Sequence, residues 1–229
     1  MKKLIIIVFF AISSLTTIAQ NLQLHYDFGK GRKMITSTIE MFKADNFGTT
    51  YFFFDLDFGT EDSNFKNGIN QFYGEISRSF KLGKLVFQPR IEYDGGFGRV
   101  KIDDNNTIGY SINSAYLIGI EKTWHTADFS KIFTLQLNYK YIKHVEDASF
   151  QITGVWGINL FNNKLSISGF ADFWKEDNAN GDYIFITEPQ FWYNFSKSFS
   201  VGSEIELSNN FAGYDGFKIC PTVALKWNI

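Results

Sequence analysis

From residue 22 onward the chain alternates apolar and polar side chains in short segments, the period-two signature of half-covered β-strands. The segments lie near 22–28, 34–42, 50–58, 69–80, 85–97, 108–124, 132–145, 150–161, 165–176, 183–195, 199–210 and 218–229, separated by clusters of Gly, Asn, Asp, Lys and Ser. In the fifth segment Leu85, Phe87, Pro89, Ile91 and Tyr93 alternate with Gln88, Arg90, Glu92 and Asp94. In the seventh, Phe133, Leu135, Leu137, Tyr139 and Tyr141 alternate with Thr134, Gln136, Asn138 and Lys140. Neighbouring side chains of a strand point to opposite faces, so each segment has one ring-rich apolar face and one polar or acidic face. About twelve such segments fill residues 20–229 and predict a single all-β domain.

The same alternation fits a soluble two-sheet sandwich and a membrane barrel. Context favours the barrel. Met1-Lys2-Lys3 precedes the apolar stretch LIIIVFFAISSLTTIA, which ends in small and hydroxylated residues before Ala19-Gln20. That order of charge, apolar core and small residues is a secretory signal, so residues 1–19 are expected to be a signal peptide cleaved after Ala19. The alternative, a retained transmembrane helix, has an apolar core short of the about 20 residues a span requires. No cysteine follows to carry an acyl anchor, and no later apolar run is long enough for a spanning helix. A membrane location for the mature chain therefore has to be built from strands.

Connectors and C-terminus agree with that. Short links KLGK at 81–84, NNK at 162–164 and SKS at 196–198 fall on one rim, and GTEDSNFKNG at 59–68, RVKIDDNNT at 99–107 and DNANGD at 177–182 on the other. Outer-membrane barrels show this asymmetry of short turns and long loops, and an even strand number that brings the C-terminus back to the periplasmic rim. The links KADNFG at 43–48 and TADFSK at 126–131 make it a tendency only. In the last segment Ile219, Pro221, Val223, Leu225, Trp227 and Ile229 occupy every second position to the end, resembling a barrel targeting strand, with Ile229 where an aromatic residue is more usual. The fold class read from the sequence is thus a transmembrane antiparallel β-barrel of about twelve strands in the outer membrane of a Gram-negative bacterium.

Composition adds to this picture. Phe 26, Tyr 11 and Trp 5 against Pro 3, with 20% charged residues, is rich in rings that cover extended surfaces. The formal net charge of −2 offers no basic field, so nucleic acid is not an expected partner. The single cysteine, Cys220, excludes an internal disulfide and a cysteine metal framework.

The polar face carries Asp27, Glu40, Asp55, Asp57, Glu75, Glu92, Asp94, Glu121, Asp172, Glu188, Glu204 and Glu206 against Arg90, Lys140, Lys226 and His25. A charge in the middle of a membrane-spanning helix costs roughly 2.5–3.5 kcal/mol, so these side chains are assigned to the lumen. There they either pair with one another and plug the tube, or line a polar channel that disfavours anions.

Catalytic and metal chemistry find little support. His25 is the one histidine on the polar face of a strand, while His125 and His144 lie by connectors. No nucleophile elbow accompanies them, so no catalytic residue is assigned and an outer-membrane lipid hydrolase rests on His25 alone. No histidine pair has ligand spacing, and IDDNN at 102–106 lacks the glycine and closing glutamate of a calcium loop. No metal or other cofactor is expected. Gly95, Gly96 and Gly98 precede no helix and read as a strand end or bulge.

The stretches LQLHYDFG, directly after the signal, and TTYFFFDLDFG resemble the opening of the nucleoside-specific channel-forming porins (Tsx-like) and their outer-membrane relatives. The resemblance implies a monomeric twelve-stranded barrel passing nucleosides through an aromatic- and acid-lined channel. By position it implies that His25, Asp27, Tyr51, Phe53, Asp55 and Asp57 face that channel. The expected function is passive diffusion of small polar solutes, nucleosides among them. Outer-membrane lipid and, during insertion, the barrel-assembly machinery are the expected partners. The alternative is a plugged barrel whose loops at 59–68 and 99–107 bind a partner.

Overall fold

The computed structural model describes residues 19–59, 68–103, 106–146, 149–178 and 181–229. Residues 1–18 of the expected signal peptide, most of the 59–68 loop and residues 104–105 of the 99–107 loop lie outside the described residues. The elements are β1 (Ala19–Asp27), β2 (Ile35–Asp45), β3 (Gly48–Phe58), β4 (Ile69–Phe80), β5 (Gln88–Lys101), β6 (Thr107–His125) and β7 (Lys131–Ile142). They continue with β8 (Ser149–Leu160), β9 (Leu165–Asn178), β10 (Gly181–Thr187), β11 (Gln190–Asn194), β12 (Phe199–Asn209) and β13 (Phe217–Asn228).

Each strand pairs antiparallel with its neighbours, and β13 pairs back with β1 from Asn21↔Asn228 to Asp27↔Thr222, which closes the sheet into a barrel. Strands β10 and β11 both lie between β9 and β12, so together they form one position of a twelve-strand wall. The interruption falls at Glu188-Pro189, where proline has no N–H for the ladder. The Glu188 N–H instead donates to the Phe170 carbonyl (3.1 Å), and the Pro189 carbonyl accepts from Ile205 N–H (3.0 Å). Gly169, at φ +152°, lets the adjoining backbone approach this break where a Cβ would strike the Glu188 carbonyl.

The segment predicted over 183–195 is therefore two strands. Other boundaries also shift. Residues 85–87 leave the ladder because the Gln88 side chain caps the preceding turn, accepting from Leu82 N–H (2.8 Å) and donating to the Leu85 carbonyl (2.5 Å). Residues 99–101, expected in a loop, extend β5 opposite 107–109, and β7 ends at Ile142.

The outer face is predominantly apolar. Leu24, Ile91, Ile118, Tyr139, Phe191, Val223 and Leu225 are exposed, as is every second residue of β13 from Phe217 to Trp227. Rings stack along this surface, with Phe54 against Phe72 (5.8 Å) and Phe72 against Phe97 (5.4 Å), and near the terminal rim Phe199 against Trp227 (6.3 Å). Gly74 lies under the Phe54 ring, where any Cβ would collide with it. A ring-covered belt of this kind is stable against lipid and not against water.

The inner face departs from the expected all-polar lumen. Ala115, Leu117, Ile142, Trp174, Ile184 and Ile186 form a buried apolar cluster within the barrel, and Val145, Phe170 and Phe211 pack against it. In the YLIGI run of β6 both faces are apolar, which hides this cluster from period-two reading.

Outward placement gives a test. Ile118→Arg, on the outer face in the middle of β6, is expected to destabilise the barrel by about 2–4 kcal/mol in phospholipid vesicles, measured by urea titration. Unchanged stability there would mean that this face meets water.

Candidate functional site: the lumen wall

The residues read as lumen-facing are covered by the barrel. His25, Asp27, Arg90, Asp94, Lys140, Asp172 and Glu206 are buried, and Tyr51, Phe53, Asp55, Asp57, Glu75, Glu92, Glu121, Glu188 and Glu204 half-buried. Two networks gather most of them.

The first lies on β4 to β9. The Arg90 guanidinium reaches Glu92, lies 3.4 Å from Glu121, and donates to the Asn138 Oδ1 (3.0 Å). The Lys140 ammonium donates to Gln151 (2.6 Å) and sits 4.4 Å from the centre of the Trp174 ring. Tyr73 donates to Glu75 (2.8 Å), which stands directly across from Asp94 on the adjoining strand. The Asp94 and Asp172 Oδ1 atoms are buried with no hydrogen-bond partner.

The second network spans β1 to β3 and β11 to β13. Thr36 donates to Asp57 (2.7 Å) and Thr38 to Asp55 (2.5 Å), each from the position directly opposite on the neighbouring strand. Gln23 donates to Glu40 (2.9 Å) and Gln190 to Glu204 (2.7 Å). The His25 ring is held between Thr222 (3.2 Å) and Gln23 (2.9 Å), so both nitrogens are engaged. Lys226 lies 3.9 Å from the centre of the Trp192 ring.

Arg32 joins this network from the connector between β1 and β2, forming ion pairs with Asp27 (3.2 Å) and Glu206 (2.5 Å). Burial works to lower the Arg32 pKa, but the neighbouring charges, Glu206 foremost, raise it above its usual value, so the guanidinium stays charged. Sequence reading missed Arg32 because nothing in a GKGRK connector signals that its second basic position folds inward. It also missed Gln23, Gln151, Gln190, Trp174 and Trp192, which sit at inward positions and were legible from period-two parity.

Between the two networks the inner wall carries rings, with Tyr51 next to Phe53 (6.2 Å) and Phe53 next to Tyr73 (6.0 Å). The site thus offers carboxylates, neutral donors and ring faces on one inner wall. Among the described residues His125 and His144 stay outside it, His125 stacked on Phe129 (4.1 Å) by the 126–130 turn.

Arg90 carries the sharpest stability test. Arg90→Met strands Glu92 and Glu121 without their buried partner and is expected to cost about 3–5 kcal/mol in urea unfolding of the micellar protein. Lys140→Met, which breaks a direct hydrogen bond to a neutral amide and no direct ion pair, should cost less. Equal costs would remove the ion-pair account.

Comparison with known proteins places this geometry. The family model described as "Domain of unknown function (DUF5020)" matches residues 19–229. No curated protein matches the chain. Among solved structures the chain is similar to the KdgM porin, with a TM-score of 0.51 and 10% identity over 91% of this chain and 99% of that one. It also matches the outer membrane protein Omp33 of Acinetobacter baumannii (TM-score 0.44, 11% identity, 93% and 97% covered). A further match is OccK11 of Pseudomonas aeruginosa (TM-score 0.41, 9% identity, 95% and 68% covered). The likeness to the KdgM porin shows a shared fold, that of an outer-membrane β-barrel.

Proposed function

The chain belongs to the DUF5020 family, and we propose that this member is a narrow outer-membrane channel through which small polar solutes diffuse passively and anions are disfavoured. The single observation that carries the reading is the wall's division: an apolar ring belt outside, and inside a surface where carboxylates hold neutral donors more often than cations. Asp55, Asp57, Glu40 and Glu204 are each met by a hydroxyl or an amide, so the lumen keeps its negative character. A negative wall of that kind repels anions.

Nucleosides are the solute class proposed within that reading. Support comes from the resemblance of the first and third strands to nucleoside-specific porins, and from the Tyr51, Phe53 and Tyr73 rings beside Asp55 and Glu75. Such rings accept a base by stacking, and carboxylates accept ribose hydroxyls. The proposal includes export by a signal peptide cleaved after Ala19, insertion by the barrel-assembly machinery and a belt of outer-membrane lipid. It assigns binding, and no catalytic step, to the lumen residues.

One observation favours a second reading, a barrel closed by its own side chains. Arg90 and Lys140 are both engaged, and Gln23 and Trp192 have 0% exposure, so part of the lumen is filled. Planar-bilayer recording separates the two. The channel reading expects single-channel steps, a reversal potential favouring K⁺ over Cl⁻ in a KCl gradient, and conductance that falls when nucleoside is added. Asp55→Asn should weaken the cation preference. Correctly folded protein without any conductance would leave the closed barrel, and conductance indifferent to nucleoside would remove that solute class.

A further inference from the structure

Glu75, Glu92 and Asp94 bring carboxylate oxygens to within 4.8 Å of one another on the inner wall of β4 and β5. Glu75 and Asp94 are direct cross-strand partners, an arrangement in which like charges repel. The nearby cations meet the cluster only in part. Arg90 divides its nitrogens among Glu92, Glu121 and Asn138, and Lys140 turns to Gln151 and the Trp174 ring. Tyr73 supplies a single hydroxyl to Glu75.

Two buried oxygens in this part of the wall lack a donor. Asp94, 4% exposed, holds an Oδ1 with no hydrogen-bond partner. Asp172, 9% exposed and carried by β9, holds another, and its charge acts on both Glu75 and Asp94. A buried carboxylate oxygen without a donor is unfavourable, and two around one acidic cluster point to a positively charged ligand.

We propose that Glu75, Glu92 and Asp94, faced by Asp172, bind a divalent cation of the calcium class inside the barrel. The donor set is all oxygen, with no histidine or thiol in it, which suits a hard cation over zinc or copper. Calcium takes oxygens at about 2.3–2.6 Å, so two ligands on opposite sides of one ion stand about 4.8 Å apart. The cluster's oxygens lie within that limit of one another. Glu92 gives one oxygen to Arg90 and has a second for the ion. The inference concerns binding alone and does not depend on whether the barrel conducts.

The test uses folded full-length barrel in detergent free of lipopolysaccharide, stripped with EDTA and titrated with Ca²⁺ by calorimetry, with Tb³⁺ luminescence as a second probe. Saturable binding of one Ca²⁺ per chain is expected, together with a higher thermal midpoint. Glu75→Gln and Asp94→Asn should each weaken binding about tenfold or more and abolish the rise in midpoint. Both should be at least as stable as the parent in EDTA, since each removes one of several crowded charges. If one variant does not fold, the other carries the test. Asp128→Asn, in the turn after β6, is expected to bind as the parent does. Folded parent protein that takes up no Ca²⁺, or binding that both variants retain unchanged, overturns the proposal. Absent conductance with Ca²⁺ binding intact counts only against the channel reading.

Discussion

Closure of the backbone ladder is the constraint on which the rest of this structure depends. Hydrocarbon offers no partner to an unpaired N–H or C=O, so a sheet in a bilayer has to return to its own first strand. Here β13 meets β1 over seven residue pairs from Asn21↔Asn228 to Asp27↔Thr222. Once the sheet is closed, each side chain has two choices, lipid or lumen, and the alternation of the sequence decides which. The acidic interior is then a consequence of the wall, because Asp55 and Asp57 can be on β3 only if they face inward.

The same constraint explains where the wall is irregular. Pro189 removes one N–H from the ladder, and a closed barrel cannot leave its partner unmet at an edge. The chain answers with a short break at Glu188-Pro189 that keeps the register, backed by the backbone contacts to Phe170 and Ile205 and by Gly169 on the neighbouring strand. A bulge follows Asp94, where β5 and β6 slip by one residue between Asp94 and Gly96. It lies beside the acidic cluster on β4 and β5, the use that bulges often serve in re-aiming side chains.

Much of this was legible in the sequence because period two is a hard constraint in a closed sheet. Strands such as β7, with Phe133, Leu137 and Tyr139 outside and Asn138 and Lys140 inside, could be assigned residue by residue. What resisted reading had local physical causes. The start of β5 moved because a single glutamine side chain caps a turn, and β10 parted from β11 at a proline that alternation alone does not register. The inner apolar cluster around Leu117 and Trp174 was hidden because β6 is apolar on both faces there. Arg32 was invisible because its inward position depends on partners, Asp27 and Glu206, that are distant along the chain or across a turn.

The electrostatics of the lumen follow from how those carboxylates are satisfied. Thr36 with Asp57, Thr38 with Asp55 and Gln190 with Glu204 are direct cross-strand pairs of a neutral donor and an acid. A neutral donor meets a carboxylate oxygen's need for a hydrogen bond and leaves its charge in place. Arg32 and Arg90 act differently, each bridging two acids drawn from two different strands, so each laces neighbouring parts of the wall while cancelling only one charge. Had the acids been met chiefly by arginine and lysine, the interior would be a neutral salt-bridged plug. With hydroxyls and amides as partners of Asp55, Asp57 and Glu204, that part of the wall is held by hydrogen bonds and not by counter-charges, inside an apolar shell.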